Sequence, residues 1–326
     1  MEQVALTPRL PEPVVVLGGG GFIGSNLVKW LVTNGYSVTA VDINFPEFRL
    51  KALRGSALHN GDLLDLQVAD EVIKSAGTVF HLAADMGGVA YFHSDADFNA
   101  STNNGQVTLN VLRTCAKYST ARVFFACSAC AYPITLQQGV PAPLLQENQV
   151  GTGVPDALYG AEKLQGLRIA GKMSNARVGI LHTVYGPYQE YSGIRMKFPS
   201  AVATKAIASS SSGSVEVWGD GSQLRSYCYI DDAVKRIVQI TASDTYDGPV
   251  NVGSTGAVTC NEVANMCVEI VGTNAEIVNT EGGPTGVTSR DCDNTKFDSL
   301  YGAIPQTSYR DGFTKFIEWL RSVLHP

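Results

Sequence analysis

At 326 residues the chain exceeds what one simple domain needs and accommodates two. Hydrophobic residues at 44%, charged residues at 17% and 33 glycines suit a soluble α/β protein with many turns. A formal net charge of −6 argues against a nucleic-acid partner, which would need a basic face, and no apolar run approaches the length of a membrane span. Met1-Glu2-Gln3-Val4 lacks a basic start followed by a long apolar core, so no signal peptide is expected. Seven cysteines, at 115, 127, 130, 228, 260, 267 and 292, follow no regular framework, which fits reduced thiols and a cytoplasmic location.

Pro13-Val-Val-Val-Leu17 reads as a short buried strand, followed at once by a turn carrying Gly18, Gly21 and Gly24. A helical pattern then runs to Asn34-Gly35, and a second strand, Ser37 to Val41, ends at Asp42. Strand, glycine turn, helix, strand and acid together form a dinucleotide-binding unit. The glycines let the backbone approach a pyrophosphate, and the helix start, at Phe22 and Ile23, supplies N–H groups and a positive dipole end. Asp42 would accept from both ribose hydroxyls and repel a 2′-phosphate, which favours NAD over NADP. The spacing alone allows either Gly18 or Gly19 as the first glycine.

Asp62, followed by Leu63, ends a further strand and could accept from the adenine amino group; the alternative is a helix N-cap before Leu64-Asp65. Thr78 to Ala84 is an apolar strand in which His81 reads as a satisfied buried histidine, while Ala83 and Ala84 suggest a close approach to the cofactor. Asp85-Met86-Gly87-Gly88 forms a turn on the same sheet edge, and a helix is expected from Phe98 to Tyr118. Arg122 to Ala126 is a strand that leads to Cys127, Ser128 and Cys130, and active sites of open α/β sheets lie beyond such strand ends. Tyr159 and Lys163, four residues apart on the next helix, share a face. Cys127-x-x-Cys130 has a redox spacing without thioredoxin-like surroundings, and no second ligand pair suggests zinc, so no metal is expected. Cys127 reads as packing; Cys130 is either catalytic or structural.

Beyond Tyr185-Gly-Pro187 the pattern changes to short helices and strands: a helix from Lys197 to Ile207, a strand at Val215 to Trp218, and a strand from Ser226 to Ile230. A capped helix is expected over 231–240, with further helices near 259–271 and 311–324. Arg225 and Arg290 could clamp a diphosphate, since planar guanidinium groups match phosphate oxygens, or could serve as ion pairs. A strand at Pro249 to Gly253 would return to the main sheet. The fold expected is therefore α/β: a Rossmann-type doubly wound parallel sheet over 1–187 plus about 225–253. A smaller, discontinuous α/β substrate domain would take about 188–224 plus 254–326.

Gly18-x-x-Gly21-x-x-Gly24, Ser128 and Tyr159-x-x-x-Lys163 resemble the extended short-chain dehydrogenase/reductase family of NAD-dependent epimerases and dehydratases, which selects the 18/21/24 glycines. His81-Leu-Ala-Ala-Asp-Met-Gly-Gly88, Ser128-Ala-Cys130-Ala-Tyr-Pro133, Tyr185-Gly-Pro187 and Trp218-Gly-Asp-Gly221 are similar to the GDP-mannose 3,5-epimerase branch of that family, as is Arg290-x-x-Asp293-Asn294. The resemblance implies that Tyr159 takes the proton of a sugar C4 hydroxyl, that Lys163 lowers its pKa and holds the nicotinamide ribose, and that Ser128 bonds the reacting oxygen. It further implies Cys130 as base and Lys197 as acid at the neighbouring carbons, with NAD recycled. Met86, Gly87, Gly88, Ser128, Thr183, Lys197, Arg225 and Arg290 would meet a nucleotide-diphosphate sugar, preferably a GDP-sugar, although Thr183 stands where the family usually has Asn. A homodimer through a four-helix bundle is also implied. The rival readings are a nucleotide-sugar 4-epimerase, a GDP-fucose synthase-like epimerase/reductase, and a non-enzymatic NAD-sensing scaffold.

Overall fold

The computed structural model describes residues 9–92, 94, 96–209 and 213–324. The opening Met1 to Val4, expected to hold no signal sequence, lies outside these residues. The central feature is a seven-stranded sheet. From edge to edge its strands are Ala57–Asn60, Val38–Asp42, Val14–Leu17, Thr78–His81, Arg122–Ser128, Ala176–Leu181 and Val250–Val252, and every neighbouring pair is parallel. Parallel neighbours need crossover connections, and helices on both faces leave the central strands apolar on both sides. Val14-Val-Val-Leu17 illustrates this: all four residues are buried, Val14 and Val16 in one core and Val15 and Leu17 in the other.

The second core is closed by the helices Leu66–Ile73, Ala96–Lys117 and Ala157–Ala170. The first contains the helices Phe22–Thr33 and Ile230–Ala242 and runs on into Phe198–Ala208, Cys260–Val271 and Tyr309–Leu324. An aromatic stack of Tyr185 on Phe313, with ring centroids 4.4 Å apart, joins Tyr229 and Phe316 in that continuation. Among the described residues, no helix is long and apolar enough to cross a membrane.

The fold class is as expected, and Val250–Val252 does return to the main sheet beside Ala176–Leu181. The strand expected at 226–230 is found at Tyr227–Tyr229. Leu224–Arg225 pairs with Ser289–Cys292 and Val258–Thr259, whereas Tyr227–Tyr229 pairs with Thr183–Tyr185. Ser226 marks the change of partner, its N–H donating to Arg290 O at 3.0 Å. The following helix begins at Ile230 without a side-chain cap; Asp231 and Asp232 sit in its first turn, where negative charge complements the dipole.

Asn251 ties the last sheet strand to the segments around it. Its Oδ1 accepts from Tyr132 Oη at 2.8 Å, its Nδ2 donates to Leu145 O and Asp293 O, and its own N–H donates to Glu147 Oε1. A fully buried amide must find such partners, because an unmet polar group in an apolar core costs about 1–3 kcal/mol.

Candidate active site

The sheet order reverses between Val14–Leu17 and Thr78–His81, which opens a crevice beyond their carboxyl ends. Gly18 lies in it with φ of +83°, and a Cβ there would stand 2.7 Å from Ala83 N, so only glycine allows the two strand ends to meet. Gly21 caps the helix Phe22–Thr33 with no side-chain hydrogen bond, leaving the Phe22 and Ile23 end of the helix to an anion. Gly24 lies in the first turn of that helix, against Gly18. Asp42 ends its strand; its Oδ2 accepts from Gly20 N at 2.9 Å and its Oδ1 from Asn44 N at 3.2 Å, and burial raises its pKa. Ala83 and Ala84 border the crevice, half-buried.

Arg49, which sequence reasoning missed, completes this end. Its guanidinium donates to Tyr188 O at 2.8 Å and Gly20 O at 3.2 Å and meets Glu190 Oε1 at 3.1 Å. Although beside Asp42, it is committed to these partners and is not presented to a 2′-phosphate. The glycine cradle, uncapped helix start and terminal acid fit NAD.

Asp62 is exposed two residues past the edge strand and makes an Asx turn, its Oδ1 accepting from Leu64 N at 2.9 Å. The N-cap of the next helix is Asp65, not Asp62. Leu63 is buried, and its carbonyl accepts from Asn110 Nδ2. His81 is buried and only half satisfied: one ring nitrogen meets Thr108 Oγ1 at 3.1 Å, the other has no partner, and burial lowers its pKa to about 3.

At the far side of the crevice, Ser128 ends its strand, and its Oγ accepts from Cys130 N at 3.2 Å as the chain turns through Ala129–Ala131. Tyr159 lies under this turn, hydrogen-bonded to Ser128 and donating to Met86 Sδ at 3.0 Å. Lys163, one helical turn on, is buried, with Nζ 5.5 Å from the Tyr159 ring centre and 3.4 Å from Glu162 Oε1. The lowering of the Tyr159 pKa that the resemblance implies is opposed by its surroundings. Burial drives it well above the usual phenol range, with the charges of Cys130 and Glu162 acting the same way, and Glu162 lies closest to the lysine ammonium. Cys127 is packed in the core, its thiol pushed up to about 12 by burial.

Cys130 is half-buried and meets Arg290 Nη1 at 3.6 Å. That arginine also bonds Asp156 Oδ2 at 2.9 Å and Gln137 Oε1 at 2.5 Å. Arg225 and Arg290 are register partners on adjacent strands, yet both guanidinium groups already have protein partners, Arg225 bonding Leu224 O and Val287 O. Lys197 is the N-cap of Phe198–Ala208 rather than a helical residue. Burial draws its ammonium below the usual range, opposed by the charge of Cys130 and reinforced by that of Arg290. Met86 touches Tyr159, Gly88 lies against Met196 O beside Lys197, and Gly87 packs on the Tyr91 ring; Thr183 opens a strand past the end of Ala176–Leu181 and pairs with Tyr227. The structure thus gathers Ser128, Cys130, Tyr159, Lys163, Met86, Lys197 and Arg290, while Asp62 and Leu63 belong to the distant edge. Asp156 and Gln137 were missed: Pro155-Asp156 before a helix carries a start signal, but Gln137 carries none.

The NAD dependent epimerase/dehydratase family pattern matches residues 14–253, and the chain belongs to that family. It is a nucleotide-sugar-modifying type of Rossmann protein that uses NAD. Among curated relatives, the chain is 33% identical to GDP-mannose 3,5-epimerase 1 of Oryza sativa subsp. indica, covering 98% of this chain and 85% of the relative. GDP-mannose 3,5-epimerase of Arabidopsis thaliana is 31% identical with the same coverage. Among solved structures, UDP-glucose 4-epimerase of Thermotoga maritima with UDP-glucose superposes with a TM-score of 0.84 at 25% identity, covering 96% of this chain and 99% of that one. MoeE5 in complex with UDP-glucuronic acid and NAD gives 0.79 at 29% identity, covering 96% and 100%.

Proposed function

We propose that this protein is an epimerase of the GDP-mannose 3,5-epimerase kind, inverting carbons beside a transiently oxidised C4. The observation that carries this reading is Cys130, held by Arg290 within electrostatic reach of Lys197, beside the Ser128–Tyr159 pair. A simple 4-epimerase needs only the latter pair with its lysine.

NAD, when bound, supplies the acceptor for the C4 hydride. Ser128 holds the C4 oxygen and Tyr159 takes its proton, leaving a ketone. Burial raises its pKa, so the phenol needs the positive charge of Lys163 nearby to act as base. The ketone acidifies the C–H bonds at C3 and C5, since the electrons left behind delocalise as an enolate. Cys130 then removes a proton from one ring face and Lys197 returns one to the other. Tyr159 then gives its proton back to the C4 oxygen, and because the cofactor would end as it began, no net oxidation occurs.

Residues 1–187 with about 225–253 form the proposed cofactor domain, and about 188–224 with 254–326 the substrate domain. A GDP-sugar is the proposed substrate, in line with the GDP-mannose 3,5-epimerases above. A homodimer through Ala96–Lys117 and Ala157–Ala170 accords with the large exposed side chains Phe98 and Leu158 on these helices. Seven unpaired thiols suit a cytoplasmic location.

The test is incubation with NAD in deuterated water, using GDP-mannose and a panel of UDP-sugars, with the label located by NMR. Deuterium at C3 or C5 of the GDP-sugar is expected. Inversion at C4 without carbon-bound deuterium would reduce the function to 4-epimerisation.

A further inference from the structure

We propose that Arg195, with Asp85 and Tyr91, is a positioning clasp that sets Lys197 over the substrate while leaving the oxidation step to Tyr159. The inference rests on the reading of Lys197 as the proton donor. Arg195 Nη1 pairs with Asp85 Oδ1 and donates to Met86 O at 3.1 Å; Nη2 donates to Tyr91 Oη at 3.1 Å. Tyr91 closes the ring by donating to Asp85 Oδ2 at 2.8 Å, and the Arg195 guanidinium lies 4.3 Å over the Tyr91 ring centre. Asp85 is itself fixed by Asn104, which accepts from its N–H at 2.6 Å and donates to its carbonyl at 3.0 Å.

The clasp joins two segments of the site. Met86, next to Asp85, carries the sulfur that accepts from Tyr159, and Lys197 is two residues after Arg195. The backbones also touch, since a Cβ on Gly88 would lie 2.2 Å from Met196 O. The side chains of Asp85 and Arg195 are 36% and 43% exposed, so the pair adds little to stability. Its consequence is geometric: the guanidinium fork fixes the direction in which the chain enters Lys197. A misplacement of about 1 Å at a reacting group can cost on the order of 100-fold in rate.

The experiment compares Arg195→Gln, Asp85→Asn and Arg195→Lys with the full-length wild type. Three quantities are measured: deuterium incorporation at C3 and C5 from deuterated water, cofactor reduction in a single turnover, and NAD affinity by fluorescence titration. Arg195→Gln and Asp85→Asn should each lose about 10- to 100-fold in exchange, in kcat rather than KM. Cofactor reduction and NAD affinity should stay at wild-type values, and Arg195→Lys should recover part of the loss. Wild-type exchange in both Arg195→Gln and Asp85→Asn would overturn the proposal, as would an equal fall in exchange and cofactor reduction. Lys197→Ala is measured alongside: if it exchanges normally, the reading of Lys197 fails; if it does not while Arg195→Gln does, only the clasp fails.

Discussion

The crevice is lined by residues of two kinds. Ser128, Tyr159 and Lys163 were legible in the sequence because redox chemistry on an alcohol calls for a hydroxyl, a phenol and a cation at fixed spacing. Gln137 and Arg49 were not, since each is a lone polar side chain whose partner lies far along the chain: Arg290 is 153 residues from Gln137, and Tyr188 is 139 from Arg49. The electrostatics of Tyr159 were also invisible, because burial depends on the packed turn above it. Two further residues yield a prediction. His81 and His182 are buried and held neutral, each with a pKa lowered to about 3, whereas in the unfolded chain they would bind protons near 6.5. Their contribution is intact above about pH 6.5 and is lost as pH falls toward 3. Stability to urea should therefore decline by up to about 1.4 kcal/mol per pH unit for each histidine across that window. A stability that stays level from about pH 6.5 to 4 would contradict this.

At the scale of elements, the glycine turn and the long helices were readable because cofactor approach and amphipathic spacing constrain many residues at once. The short strand Leu224–Arg225 was not readable: two residues carry no pattern, and they pair only because Ser289–Cys292 and Val258–Thr259 arrive beside them. Gly160 links the two catalytic elements. A Cβ there would come 2.2 Å from Cys130 O, so the Tyr159 helix lies against the Cys130 turn only because this residue has no side chain. Gly160→Ala should destabilise the protein by about 1–3 kcal/mol despite alanine's better helix propensity, and should slow exchange at C3 and C5. Thermal denaturation and the deuterium assay check this together; a Gly160→Ala protein as stable as wild type would mean that the turn can give way freely.

For the molecule as a whole, the doubly wound parallel sheet was foreseeable from the alternation of apolar strands and helices. How the remaining segments attach was not, because it depends on single residues such as Asn251, whose amide joins four separate stretches of chain. Assembly can be tested at the same scale. Phe98 and Leu158 are 66% and 51% exposed on neighbouring helices, an arrangement that a partner copy would cover. Phe98→Glu with Leu158→Glu should convert a dimer into a monomer in sedimentation velocity, while a wild type that sediments as a monomer would rule the assembly out.

The central claim is that Cys130 acts on carbon after Tyr159 has allowed oxidation at C4. The most direct measurement is a paired one on Cys130→Ala with a GDP-sugar and NAD in deuterated water: cofactor reduction in a single turnover, and deuterium at C3 and C5. Reduction should persist while incorporation falls by about 100-fold or more, as removal of a general base requires. Incorporation at the wild-type rate would contradict the account.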